Sequence, residues 1–156
     1  MNNFYVFYLH SMSKLKLNTD GIEDDFFSGT HLLGIMTPVK NYRFIWQVNA
    51  NTGFDFRLNT EVEIQLKRKG RNYFFSVYQF WQTECELEHF IYYNQFEGEY
   101  LLPEFKHLDF LWLMRGNVIT DEDFLSVQNK LKAIEGTQLV TELTQEKIKN
   151  KGNLIF

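Results

Sequence analysis

Two carboxylates and one histidine lie close together in the segment L-L-P-E-F-K-H-L-D-F, which runs from Leu101 to Phe110. Glu104 and Asp109 could divide the roles of acid and base if their surroundings differ, because burial favours the protonated carboxyl and solvation the ionised one. His107 lies between them and could carry protons near neutral pH. The segment therefore presents Glu104, His107 and Asp109 as candidate catalytic residues.

The same segment also has an architectural interpretation. Proline followed by glutamate suits the first turn of a short helix, where a carboxylate meets free backbone amides. A following aspartate can accept hydrogen bonds from nearby backbone amides. Under this hypothesis the motif fixes the start of an apolar strand through Pro103, Glu104, Asp109 and Phe110. We favour this architectural role over a catalytic role.

A basic turn precedes the aromatic segment from Tyr73 to Trp81. Cations steer phosphates and exposed rings stack on bases, so this pairing is typical of single-stranded nucleic-acid binding. The formal net charge is −4, which argues against a general nucleic-acid binder. Nucleic-acid binding is therefore the weaker hypothesis, and its candidate residues are Lys67, Arg68, Lys69 and Arg71.

Other chemistry finds little support in the residue pattern. The four histidines, His10, His31, His89 and His107, form no i, i+4 pair, so no metal is expected. The phosphate-binding and nucleophile-elbow glycine patterns do not occur, and no cofactor is expected. The single cysteine, Cys85, excludes a disulfide within the chain and indicates a reducing compartment, the cytoplasm. No apolar run approaches the roughly 20 residues that span a bilayer, so no membrane partner is expected.

The elements that must position these residues are clearest in the second half of the chain. Asp109 to Arg115 is apolar on both faces, which predicts a central strand. Thr120 and Asp123 have capping-box spacing and predict the start of a helix whose buried stripe is Phe124, Val127, Leu131 and Ile134. Thr137 to Leu143 predicts a returning strand. Residues 109–143 therefore predict a strand–helix–strand unit with the look of half a ferredoxin-like unit.

The remaining segments predict more strands and one or two further helices. The sequence indicates a single α+β domain with an antiparallel or mixed sheet and about two to three helices. Helical spacing after Thr37-Pro38 places Val39, Tyr42, Trp46 and Asn49 on one face, with Gly53 at the end. The other predicted segments are a loop at 19–28, strands at 30–36, 61–67, 73–81 and 86–93, a short helix at 145–151 and a strand-like end at 153–156.

The segment L-P-E-x-x-x-L-D-F, from Leu102 to Phe110, resembles the signature of the bacterial IPExxxVDY family. The ending K-N-K-G-N-L-I-F resembles that family's tail, and the similarity covers residues 12–156, which form the expected domain. Residues 1–11 are accordingly expected to be a non-native or alternative-start extension. The family has no assigned activity, so the resemblance implies no reaction. Phe110 replaces the tyrosine of the signature and lacks its hydroxyl, which favours the architectural interpretation.

The aromatic content, with 16 Phe, 8 Tyr and 3 Trp, and the two-sided apolar strands indicate a surface or core suited to association. We therefore expect a non-catalytic association or ligand-binding module that contacts a protein partner, a small ligand or a second copy of itself as a homodimer. The alternatives are an acid–base enzyme using Glu104 and Asp109, and a single-stranded nucleic-acid binder.

Overall fold

The computed structural model of the protein describes residues 19–116 and 119–156, and the proposed extension at 1–11 lies outside them. The helices of this part are α1 Thr19–Phe27, α2 Asn41–Thr52 and α3 Asp121–Lys132. Short 3-10 turns span Pro103–Phe105, Gln145–Lys147 and Lys151–Leu154. The strands are β1 His31–Met36, β2 Arg57–Leu58, β3 Ile64–Arg68, β4 Arg71–Phe75, β5 Val77–Gln82, β6 Leu87–Tyr93, β7 Gln95–Phe96, β8 Glu99–Tyr100, β9 Phe110–Gly116 and β10 Leu139–Glu142.

A six-stranded antiparallel sheet of order β10-β1-β9-β6-β5-β2 forms the middle of the molecule, and the predicted α+β fold is confirmed. The β3–β4 and β7–β8 pairs form two small separate hairpins. β9 lies between β1 and β6, and its Leu111, Trp112 and Leu113 are fully buried. Because successive side chains of a strand point to opposite faces, a strand buried on both faces must be covered on both sides. The prediction of a central two-sided strand at 109–115 is confirmed.

The unit β9–α3–β10 has a defined topology. β1 pairs antiparallel with both β9 and β10, so these two strands are parallel to each other and β1 lies between them. α3 connects them, as the strand–helix–strand prediction required. The arrangement is a split βαβ unit, which agrees with the ferredoxin-like half-unit expected from the sequence.

Two apolar cores lie on the two faces of the sheet. On one face α2 and α3 pack against it through Phe44, Phe124 and Leu131. On the other face α1, the β3–β4 hairpin and the C-terminal turns cover it, a group that includes Phe27, Phe75 and Leu154. The sheet is therefore the middle of three layers. No helix of the described residues is long and apolar enough to cross a membrane.

The predicted loop at 19–28 is wrong, because residues Thr19–Phe27 form α1. Phe27 is buried and its ring packs edge-on against Phe26, with centroids 5.0 Å apart. Asp24 forms an ion pair with Lys151 of the C-terminal segment, with 3.4 Å between Oδ1 and Nζ. Burial of the C-terminal end of α1 against the rest of the protein therefore stabilises the helix, although its residue types favour turns.

The first residue and the buried side of α2 both differ from the prediction. α2 begins at Asn41, because the Thr37 hydroxyl accepts a hydrogen bond from the Val39 amide and forms a turn instead of the cap. Phe44, Ile45 and Val48 form its buried side. The face marked by Tyr42 and Trp46 is the exposed one. The predicted end at Gly53 is confirmed, since this glycine adopts the left-handed conformation with φ 77°.

Two other predicted segments, 73–81 and 145–156, differ from the prediction. The segment 73–81 breaks at Ser76 into β4, which pairs with β3, and β5, which belongs to the central sheet. The hairpin can then fold over one face of the sheet, which a continuous strand would prevent. The segment 145–156 forms two 3-10 turns in place of the predicted helix and terminal strand. Short strands at 30–36, 86–93 and 137–143 are confirmed with ends shifted by one or two residues.

Candidate functional site

Asn94 organises the loop that contains the candidate residues. This side chain is fully buried, and its Nδ2 donates to the carbonyl oxygens of Phe105 at 3.1 Å and Leu108 at 2.8 Å. Its Oδ1 accepts from the Leu102 amide at 2.8 Å. The Asn94 backbone carbonyl also accepts from the Leu101 amide at 2.9 Å. One buried amide therefore fixes the backbone of the loop 101–108, and no buried polar group of Asn94 is left without a partner.

Glu104 joins this loop to the C-terminal segment. Its Oε1 accepts hydrogen bonds from the backbone amides of Lys149 and Asn150, both at 2.8 Å, and its Oε2 accepts from Asn150 Nδ2 at 2.8 Å. Partial burial raises the pKa of the Glu104 carboxyl, but the hydrogen bonds from Asn150 and Lys149 outweigh it and hold the pKa below its ordinary value. The carboxylate is thus held ionised and fully engaged with the backbone of another segment.

One further hydrogen bond joins the same segments, because Asn153 Nδ2 donates to the Leu101 carbonyl at 2.8 Å. Beside it the buried Tyr92 hydroxyl of β6 donates to the Leu154 carbonyl at 3.0 Å. Leu101 and Leu154 are fully buried beside these bonds. We call this set of contacts between the loop 101–105 and the segment 149–154 the clasp. It brings together the two stretches that carry the family resemblance.

Asp109 forms its hydrogen bonds with a different segment from the one that Glu104 binds. Its Oδ2 accepts from the Thr37 amide at 2.8 Å, and its own amide donates to the Ile35 carbonyl at 2.8 Å. Partial burial raises the pKa of the Asp109 carboxyl, and the hydrogen bond from Thr37 opposes that rise in part. Asp109 therefore ties the start of β9 to the end of β1, whereas Glu104 binds the C-terminal segment.

The other residues of the motif divide between core and surface. Pro103 and His107 are exposed, and the His107 ring lies beside Phe105 with centroids 6.4 Å apart. Phe110 is fully buried and stacks on Phe44 of α2, with centroids 4.4 Å apart. The ring of Phe110 thus packs inside the helix-side core. The hydrogen bonds of Glu104 and Asp109 lead to different segments and do not bring these two carboxylates together with His107 through any shared partner.

The basic turn lies at the tip of the β3–β4 hairpin. Lys69 and Gly70 form the turn, and Lys67 is exposed. Arg71 is engaged, because its guanidinium lies 2.7 Å from Glu97 and 5.7 Å from the ring centroid of Tyr73. Phe74 is 36% exposed, whereas Tyr73 and Phe75 are buried in the core beneath the hairpin. Within the segment Tyr73 to Trp81 the large exposed rings are Phe74 and Trp81, and of the four candidate cations Arg71 is already paired with an acid.

His89 is a buried polar centre that sequence reasoning passed over. It is 1% exposed and ringed by Phe54, Phe80 and Trp112, whose ring centroids lie 5.1, 5.9 and 5.9 Å from its own. Trp112 Nε1 donates to its Nδ1 at 3.2 Å, and its Nε2 lies 3.2 Å from Gln82 Oε1. Burial lowers the pKa of His89 to about 4. The ring is therefore neutral at pH 7.

Asn94 and His89 share one signal in the sequence. The two residues flank the apolar run F-I-Y-Y, from Phe90 to Tyr93, and a polar group buried beside such a run must find partners. That rule marks the two positions as special, but it names no partner, because the partners come from β5, β9 and the loop 101–108.

The described part of the chain holds one thiol and no cluster of metal ligands. Within residues 19–116 and 119–156, no three His, Cys, Asp or Glu side chains lie close enough to hold a metal ion. Cys85 is a free, exposed thiol in the turn between β5 and β6.

The outer sides of α2 and α3 carry large exposed apolar side chains. On α2, Trp46 is 69% and Tyr42 68% exposed. On α3, Leu125 is 52% exposed next to the acidic residues of its first turn. Both helices pack on the same face of the sheet, so we call this surface the helical face. Comparisons with protein-family models, with curated proteins and with solved structures found no match to this chain.

Proposed function

We propose that the protein is a non-catalytic association module that forms a homodimer through the helical face. The observation that carries the proposal is the exposure of Trp46 and Tyr42, one helical turn apart on α2. Tryptophan and tyrosine are the side chains that most often dominate the binding energy of protein interfaces. Leaving two of them in water on one helix is unfavourable unless a partner covers them.

The charges of the helical face favour a second copy of the chain as that partner. The stretch 38–53 contains two cations, Lys40 and Arg43, and no acidic residue, and neither cation has an ion-pair partner among the described residues. α3 carries the opposite charge on its first turn, at Asp121, Glu122 and Asp123. The α2 side is therefore basic and aromatic, and the α3 side is acidic and aliphatic.

A two-fold axis would use both halves of this surface at once. In an isologous dimer each patch contacts its complement on the partner, so α2 of one protomer would lie on α3 of the other, twice. Arg43 would then approach Glu122 of the second copy, and Trp46 would cover Leu125. Electrostatic complementarity of this kind fixes the orientation of the partner more than it raises affinity.

Sedimentation equilibrium over a range from low micromolar to several hundred micromolar protein tests the proposal. We expect a reversible dimer that weakens as salt is raised, because the charged pairs are screened. Trp46→Ala should raise the dimer Kd by about 30-fold, since an aromatic hot spot contributes ~2 kcal/mol. A wild-type chain that stays monomeric over the whole range would overturn the proposal.

A charge-exchange series separates this interface from general stickiness. Arg43→Glu and Glu122→Arg should each weaken the dimer by up to about tenfold, and the double variant should recover most of the loss. Lys67→Glu is the matched control, because Lys67 is an exposed cation on the hairpin with no ion-pair partner among the described residues. Equal effects of Lys67→Glu and Arg43→Glu would contradict a specific helical-face contact.

The L-P-E-x-x-x-L-D-F motif has an architectural role in this proposal, and we propose membership of the IPExxxVDY family on the same basis. The clasp supports both, because it joins the motif to the C-terminal tail that also resembles the family. A reducing cytoplasm is the proposed setting, which the free, exposed Cys85 supports.

A further inference from the structure

A cavity of about 120 Å³ lies between α3 and the end of the central sheet. Five of the ten residues that line it are apolar, namely Phe54, Leu87, Met114, Ile119 and Val127. An apolar cavity of about 150 Å³ in another protein accommodates benzene. The cavity here is somewhat smaller, which limits a bound apolar group to a single ring or a short branched chain and excludes a nucleotide or a peptide.

Polar groups are found at the inner end of the cavity. His89 and Gln82 both line it. An indole N–H can only donate, so the bond from Trp112 leaves the proton of the neutral His89 ring on Nε2, where it donates to Gln82 Oε1. This bond fixes the orientation of the Gln82 amide. The Gln82 amide nitrogen has no acceptor among the described residues and is available to donate to a ligand.

One free cation lies at the rim. Lys130 lines the cavity from the exposed side of α3 and has no ion-pair partner among the described residues. The neighbouring Asp123 is already engaged, because its Oδ2 accepts from the Thr120 hydroxyl at 2.6 Å in the helix cap. His89 is neutral at pH 7, so Lys130 supplies the positive charge of the site.

We propose that this cavity binds a small carboxylate with a compact apolar body, in which the ring or branched chain fills the space beside Phe54 and Met114 and the carboxylate reaches Lys130. The apolar walls provide affinity through burial, and the lysine provides preference for an anion. Trp46 and Arg43 of α2 are not among the residues that line the cavity, so the ligand is a binding function beyond the proposed dimer.

A titration followed by ¹H–¹⁵N NMR tests the site, with benzoate as the probe and benzyl alcohol as its neutral counterpart. We expect saturable shifts at the Trp112 indole N–H and the Gln82 side-chain amide, with binding in the millimolar range. The exposed Trp46 and Trp81 are internal controls, since their indole signals report non-specific contact. Benzoate should bind more tightly than benzyl alcohol.

Two variants locate the bound probe. Lys130→Gln should weaken benzoate about threefold to fivefold and leave benzyl alcohol unchanged, because only the charged contact is lost. Ser126→Phe should block the opening and abolish binding of both probes, whereas Asn129→Phe, on the same helix but outside the cavity lining, should not. An absence of saturable shifts, equal affinity for both probes, or retained binding in Ser126→Phe would overturn the proposal.

Discussion

A single buried imidazole connects three strands. His89 on β6 accepts from Trp112 on β9 and contacts Gln82 on β5, so its neutral form satisfies groups from both neighbouring strands. Protonation would place a charge in an aromatic environment and would remove the acceptor that the Trp112 indole needs. The fold therefore depends on His89 remaining neutral.

This dependence predicts that the protein loses stability in mild acid. The pKa of His89 falls from 6.5 to about 4 on folding, so the unfolded chain takes up a proton at a pH where the folded protein does not. The contribution of neutral His89 to the free energy of unfolding is complete above pH 6.5 and is lost as the pH falls toward 4. The total loss is roughly 3 kcal/mol at most. Urea denaturation at a series of pH values measures this slope. His89→Gln should flatten it, and His107→Gln should not; equal slopes in wild type and His89→Gln would contradict the prediction.

Glu104 is the residue on which the clasp depends. Its two oxygens accept three hydrogen bonds, two of them from backbone amides that have no other acceptor among the described residues. Removing an acceptor leaves these donors without a partner, and that penalty exceeds the net gain of forming an ordinary hydrogen bond.

Glu104→Ala should lower the free energy of unfolding by about 1–3 kcal/mol, because all three donors lose their acceptor. The amides of Lys149 and Asn150 should also exchange faster with solvent, which hydrogen-exchange NMR detects. Glu61→Ala is the control, since Glu61 is exposed and its side chain forms no hydrogen bond or ion pair with the described residues. If hydrogen exchange at residues 149–150 matched the wild type, the clasp would not depend on this carboxylate.

At the scale of elements, the cap that begins α3 and the glycine that ends α2 could be predicted from the sequence, whereas the buried face of α2 could not. The capping box of Thr120 and Asp123 and the left-handed Gly53 are local features, and both are present as predicted. The choice of buried face on α2 is not local, because aromatic residues lie on both sides and the sheet selects Phe44 over Trp46. The helix at 19–27 was missed for the same reason, since burial of Phe27 stabilises it.

Two threonines provide a matched test of the cap. The Thr120 hydroxyl accepts from the Asp123 amide at 3.1 Å and donates to its carboxylate. The Thr137 hydroxyl is buried without a hydrogen-bond partner among the described residues. Thr120→Val should therefore cost about 1 kcal/mol, and the same change at Thr137 should be neutral or stabilising. Thermal unfolding of both variants measures the difference, and an equal loss in both would argue against the capping role.

At the scale of the whole molecule, the layers are joined by residues distant in the chain. Leu108 of the motif packs against Gly34 in the middle of β1, and a Cβ added to Gly34 would lie 2.3 Å from Leu108 Cδ1. The sequence marked the 101–110 segment as special but could not show that its partners are Asn94, Thr37 and the tail. Hydrogen bonds to backbone amides leave no residue pattern of their own, so this part of the site required the structure.

The close approach at Gly34 predicts opposite effects for two glycine substitutions. Gly34→Ala should lower stability by about 1–3 kcal/mol, because the new methyl group displaces Leu108 from a packed core. Gly21→Ala in α1 meets no atom within 4 Å and should stabilise the helix by up to about 1 kcal/mol. Urea midpoints of the two variants give the comparison. A loss at Gly21 equal to that at Gly34 would show that the crowding is not the cause.

The position of β1 in the sheet has a consequence for the order of folding. The β5–β6 hairpin is local, whereas His31 of β1 pairs with Met114 and Leu33 with Glu142. Closing long loops costs more entropy, so we expect the hairpin to form first and β1 to wait for β9 and β10. On a ribosome adding about 5–20 residues per second, that delay lasts on the order of several seconds. During it the apolar segment H-L-L-G-I-M stays unpaired, which makes β1 a stretch of the nascent chain that a chaperone would protect.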